Sequence, residues 1–202
     1  MNKKSFFWAS YADLMSSLFF IMLVLFVLTV IMLQKQVKAT EAEINKIKEI
    51  QNAISNIDST YFAYNAEHKK HILKIDVGFQ INSADITDIE LETRQQLLNA
   101  GKAINQFIKE ACQKYNAQYL LIIEGQASKD NFIRNNELSY ERALALVNYW
   151  KNNGVYFNSE QCEVIVSGSG QDGTLRIQPD IPGNVKNQRF LIHILPKPGV
   201  IK

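Results

Sequence analysis

The chain has 202 residues, room for one membrane anchor and one folded domain of ordinary size. Lys and Arg number 22 against 20 Asp and Glu, a formal charge of +2 spread evenly along the sequence. With no stripe of Lys or Arg interleaved with aromatics, that balance excludes nucleic acid as an expected direct partner.

From residue 14 to residue 33 the chain is almost wholly large and apolar, with Ser16, Ser17 and Thr29 as its polar members. At ~1.5 Å rise per residue, about 20 such residues cross the hydrocarbon core of a bilayer. Residues 10–33 are therefore predicted as one transmembrane helix behind a short terminus at 1–9. The apolar run exceeds the ~7–15 residues of a signal-peptide core, so the anchor is expected to be retained. Asp13 stands at the mouth of this run. The apolar residues contribute roughly −0.3 to −0.6 kcal/mol each, enough to outweigh the ~2.5–3.5 kcal/mol cost of one buried carboxylate. Two readings of Asp13 stay open. An ionisable group tolerated in a membrane segment marks an ion or proton path, with Ser16 and Ser17 beside it. Ser10-x-x-Asp13 is equally a capping box, in which the acid only closes a helix N-terminus.

Beyond the anchor, Leu33, Val37, Thr40, Ile44, Ile47, Gln51 and Ile54 alternate at spacings of four and three, a heptad seam. Residues 34–59 are predicted as a parallel two-stranded coiled coil, weakened by Thr40 and Gln51. The alternative is a short amphipathic helix lying on its own domain. No Pro/Gly/Ser-rich linker separates this segment from the remainder of the chain.

Residues 60–202 are predicted as an α+β domain. Leu73, Ile75, Val77 and Phe79 alternate with polar residues, which reads as a half-buried strand. Residues 87–112 come next as a helix with Leu97, Ile104, Phe107, Ile108 and Ala111 on one face. Residues 119–124 form a continuous apolar strand, and residues 135–152 a second helix with Ala143, Leu146, Val147 and Trp150 inward. Gly154 is placed to end it. Cys162, Val164 and Val166 mark a third strand, and residues 190–195 a fourth. The order β-α-β-α-β-β argues helices packed on a mixed sheet. Cys112 and Cys162 lie near the ends of neighbouring elements; a disulfide between them and two free thiols both fit an exported domain.

Three other signals carry little. Gly168-x-Gly170-x-x-Gly173 comes after a strand, but Pro179 and Pro182 exclude the helix a dinucleotide site needs, so it is a turn. His68, His71 and His193 lack the companions of a zinc set. No nucleophile–base constellation or paired-acid site stands out, and the chain is not read as an enzyme.

The stretch Trp8-Ala9-Ser10-Tyr11-Ala12-Asp13-Leu14-Met15-Ser16 closely resembles the signature of the MotB family of stator subunits and its non-flagellar relatives. The resemblance implies that Asp13 carries a coupling ion, H+ or Na+, with no other cofactor. It implies a homodimer of this chain inside a ring of five MotA/ZorA-like membrane subunits. It also implies a single pass through the bacterial inner membrane, with the N-terminus cytoplasmic and the C-terminal domain periplasmic. The compact chain, the missing linker and the run from Ser17 to Phe26 look more like the ZorB subunits of Zorya anti-phage systems than like flagellar stators. A flagellar-type stator subunit and a passive envelope tether without ion flux are the alternatives.

Over roughly residues 70–195, three motifs resemble the OmpA-like peptidoglycan-binding domain. They are Gly125-Gln126-Ala127-Ser128, Asn135-x-x-Leu138-Ser139-x-x-Arg142-Ala143 and Asn187-Gln188-Arg189-Phe190. The resemblance implies that Arg142, with Asn135, Leu138 and Ser128 in the motif around it, grips the diaminopimelate of a wall peptide. An arginine fork suits a carboxylate better than a lysine does. The family places an Asp where this chain has Ser128, so Asp130 is the expected stand-in for the ligand's ammonium. On residue type alone, Arg142 is also a solvated helix arginine and Asn135 a helix N-cap.

Overall fold

The computed structural model describes residues 3–55 and 57–197. The chain divides into two units, residues 1–48 and residues 49–202.

The first unit is helical. Helix α1 runs unbroken over Lys3–Ser55, and its apolar stretch is long enough to cross a membrane. Because the helix begins at Lys3, Ser10 and Asp13 lie inside it, so the capping-box alternative does not hold. The Ser16 hydroxyl donates to the Ala12 carbonyl at 2.8 Å and that of Ser17 to the Leu14 carbonyl at 2.9 Å. Both polar groups are thus satisfied by the helix itself, as an apolar setting demands. Apart from half-buried Val30, the Leu, Phe, Ile and Val side chains from Leu14 to Leu33 are exposed around the helix.

The second unit opens with the last turns of α1. Ile50 and Ile54, one turn apart, are 0% and 5% exposed and join Ile57 in the core. Beyond Ile47 the predicted seam therefore gives way to the amphipathic alternative: Gln51 faces solvent while Ile50 and Ile54 cover the domain. Strands β1 (Phe62–Asn65) and β2 (Lys70–Leu73) form an antiparallel hairpin. The first predicted strand is thus displaced. Pairing stops at Leu73, although burial goes on alternating through Val77.

A separate 3-10 turn at Ile86–Asp88, capped by Asp85 accepting from Thr87 N–H at 2.9 Å, precedes helix α2 (Leu91–Tyr115). Strand β3 (Tyr119–Gly125), helix α3 (Asn135–Asn152), strand β4 (Cys162–Gly168) and strand β5 (Phe190–Pro196) complete the unit. The five strands stand in the order β1-β2-β5-β3-β4, with β3 and β4 parallel and β5 antiparallel to both β2 and β3. This is the α+β mixed sheet that the sequence predicts, with a hairpin added at its edge.

Tyr119, Leu121, Ile123, Ile192 and Ile194 turn one sheet face toward Leu97, Ile104 and Ile108 of α2 and Ala143, Leu146 and Trp150 of α3. The Trp150 indole donates to the Leu97 carbonyl at 2.7 Å, and a Cβ on Gly101 would run into its ring. Glycine there lets α2 and α3 approach closely enough to bury the largest side chain of the core.

Candidate functional site

The site lies where β3 ends and α3 begins. Gly125 closes β3 with no side chain, and a Cβ there would strike the Ser139 carbonyl of α3. That close approach brings the first turns of α3 against the loop at 126–134. The Ser139 hydroxyl then accepts from the Gly170 N–H at 2.9 Å, fixing the loop after β4 to the same helix.

Asp130 sits exposed on this loop. Its Oδ1 accepts from the Asn135 amide at 2.8 Å and from the Phe132 N–H at 2.9 Å, and the Ser128 hydroxyl donates to its Oδ2 at 3.4 Å. Asn135 is the first residue of α3 and spends its side chain on Asp130 rather than on a cap. These donors, Asn135 foremost, hold the Asp130 carboxyl below the usual carboxylate range, helped by the charge of Arg142.

Arg142 is 2% exposed, not solvated. Its Nε donates to the Ser83 carbonyl at 2.9 Å and its Nη2 to that of Gln80 at 3.5 Å, while the Phe79 ring lies 4.6 Å from the guanidinium carbon. Burial lowers its pKa to about 10, and nearby Asp130 works the other way. The side chain thus stays cationic at neutral pH. The arrangement is an accessible carboxylate near a buried, braced guanidinium, two opposite charges at one end of the sheet.

The closing motif braces the site from the other side. Asn187 is fully buried; it accepts from the Ile177 N–H at 2.7 Å and donates to Asp180 Oδ1 at 3.0 Å. Arg176 pairs with that same Asp180 at 2.9 Å and donates to the Ala127 carbonyl at 2.6 Å. The Gln188 amide donates to the Ser128 hydroxyl at 3.3 Å. The structure therefore brings together Ser128, Asp130, Asn135 and Arg142. Leu138 is buried on α3 apart from the main core cluster. Asp13, Ser16 and Ser17 belong to the other unit.

Gln80, Ser83 and Gln188 join the site without having been expected there. Gln80 and Ser83 act through backbone carbonyls, which no residue type advertises. Gln188 stands inside the closing motif, and the signal for it is its place between Asn187 and Arg189.

Elsewhere, Glu124 on β3 accepts from Lys70 at 2.8 Å and interacts with His193 at 2.9 Å. Burial alone would raise its pKa, but hydrogen bonds from His193, Lys70 and Ser169 bring it down to about 2. His71 is buried, with Nε2 2.9 Å from the Ile54 carbonyl at the end of α1. Cys112 and Cys162 are free thiols. Burial pushes both up, Cys162 to about 12. Among the described residues, no three His, Cys, Asp or Glu side chains gather in a way that would hold a metal ion.

No protein-family model and no curated protein matches this chain. Among solved structures it is similar to the OmpA-like domain of FopA1 from Francisella tularensis, at 21% identity over 67% of this chain and 80% of that one, with a TM-score of 0.43. It is similar to an outer membrane protein from Borrelia burgdorferi B31, at 23% identity over 66% and 95%, TM-score 0.43. It is also similar to the periplasmic domain of Helicobacter pylori MotB, at 18% identity over 64% and 85%, TM-score 0.44.

Proposed function

We propose that residues 49–202 bind the peptide stem of peptidoglycan, and that α1 anchors them in the bacterial inner membrane as part of an ion-driven, stator-type complex. One observation carries the wall reading: Asp130 and Arg142, opposite in charge, are both held in place by the protein at one end of the sheet. An amino-acid end group with ammonium and carboxylate on one carbon, as in diaminopimelate, meets both. Asp130 takes the ammonium and Arg142 the carboxylate, in charge-assisted bonds stronger than neutral ones. Retention of the full-length protein on purified sacculi tests this. Arg142→Ala and Asp130→Asn are each expected to reduce retention about tenfold or more, on the scale of one charged hydrogen bond. Retention equal to wild type in both variants removes the assignment.

The motor part of the reading is supported by one acid, Asp13, at the head of the apolar stretch of α1, with Ser16 and Ser17 satisfied by the backbone. Two copies of the chain, enclosed by a ring of five partner subunits, would desolvate Asp13 and let protonation switch the local charge. A wall-held domain then stops the dimer from turning with the ring. H+ or Na+ flux in vesicles holding chain and partner is expected to vanish for Asp13→Asn. Equal flux from both proteins leaves a passive tether. Helicase- or nuclease-like neighbouring genes favour the anti-phage role of the ZorB type, and flagellar neighbours a motility stator.

A further inference from the structure

Beside the candidate site the sheet comes apart. Leu73, Ile75 and Val77 are buried and Lys74, Asp76 and Gly78 exposed, so residues 73–78 keep the two-residue period of a strand. On the side of β5 their partner is missing, because the chain before β5 coils into a 3-10 turn at Val185–Asn187. The β2–β5 register covers only His71 with Ile192 and Ile72 with Leu191. Between the two diverging segments lies a cleft of about 220 Å³, with Ile75, Asp76, Gly78, Lys186, Gln188 and Arg189 in its lining.

Lys186, Arg189 and Asp76 bring two cations and one carboxylate to the lining of this space. The Arg189 Nε is held by the Gln126 side-chain oxygen at 3.1 Å, whereas its Nη2 is buried without a hydrogen-bond partner. A buried guanidinium N–H with no acceptor is costly, and buried polar groups in folded proteins are nearly always paired. Both walls of the cleft lead into the candidate site. Gly78 is followed by Phe79 and Gln80, which brace Arg142, and Gln188 reaches Ser128 next to Asp130.

We propose that this cleft is a second subsite for the same wall peptide, resting on the wall reading of Asp130 and Arg142. It takes the free α-carboxylate that a γ-linked D-glutamate presents one residue from diaminopimelate. Arg189 supplies the unpaired N–H donor and Lys186 an exposed point charge. Asp76 at the same lining favours a single carboxylate over a dianion.

Two synthetic tripeptides separate the outcomes: L-Ala–γ-D-Glu–meso-diaminopimelate, and the same peptide with the glutamate α-carboxylate amidated. Each is titrated against the full-length protein in lipid nanodiscs. Wild type is expected to bind the carboxylate form about tenfold more tightly. Lys186→Gln and Arg189→Gln are expected to shrink that preference to about twofold or less. Where Arg189→Gln loses the buried-tryptophan fluorescence of the folded domain, Lys186→Gln decides. Equal affinity of wild type for both peptides, or a full preference kept by the variants, overturns the subsite. Binding of neither peptide by wild type removes the wall reading itself, an outcome distinct from a lost preference.

Discussion

Arg142 shows why an arginine and a lysine are not equivalent at this position. Its guanidinium serves two carbonyls and an aromatic face at once, at Ser83, Gln80 and Phe79. A lysine ammonium is a point charge without the fork, and it leaves one of those carbonyls unpaired. Arg142→Lys is expected to cost about 1–3 kcal/mol of stability, measured by denaturant unfolding, besides weakening retention on sacculi. Glu124 gives a pH signature instead. Its pKa is about 2 in the folded protein against an ordinary 4.5. Between those values the unfolded chain binds more protons, so stability falls as pH drops from about 4.5 toward 2 and is fully present above 4.5. The slope is worth on the order of 1–2 kcal/mol once solvent screening is allowed for. Glu124→Gln should flatten it; an unchanged slope in thermal unfolding across that range would assign the acid sensitivity elsewhere. At this scale Asp130, Asn135 and Arg142 were readable, because their chemistry lies in side chains. The carbonyls that brace Arg142 and the Gln126–Arg189 bond were not, since they exist only once loops far apart in sequence meet.

Elements with strong periodicity were legible nearly to the residue. The α3 span Asn135–Asn152 matches its prediction, and β3, β4 and β5 differ from theirs by one or two residues. The β1–β2 hairpin was hidden for a physical reason. Its turn carries Lys69 at φ 53 where Gly or Asn would have announced a left-handed residue, and β1 is only Phe62–Asn65. The predicted strand at 73–79 had the right alternation but no partner on the β5 side, because that pairing depends on a segment over a hundred residues later. Packing between elements is as specific as their spans. Gly101 faces the Trp150 indole with no room for a Cβ. Gly101→Val should force α2 and α3 apart and cost roughly 1–3 kcal/mol. At ~2–4 °C per kcal/mol for a protein of this size, thermal unfolding would register it readily. An unchanged melting temperature would mean the helices have slack that the geometry denies.

At the scale of the molecule, the chain divides at residue 49, inside helix α1. The heptad spacing runs straight through this point, so nothing in the sequence announces where the helix stops facing outward and starts covering its own domain. Ile50, Ile54 and Ile57 are 0%, 5% and 5% exposed. Fully burying such a side chain contributes ~1.5–3 kcal/mol. The Ile54 carbonyl also meets the buried His71 ring at 2.9 Å, and the other ring nitrogen, Nδ1, already lacks a partner. A fragment starting at residue 60 strips away all three isoleucines and leaves His71 with neither nitrogen satisfied, a further ~1–3 kcal/mol. Together these losses approach the ~5–15 kcal/mol that a whole domain has to spare. A fragment of residues 49–202 is therefore expected to fold and to melt cooperatively. A fragment of residues 60–202 is expected to melt at least ~10 °C lower or to stay unfolded. Equal melting temperatures for the two would show that the end of α1 only rests on the sheet, and that the domain is complete without it.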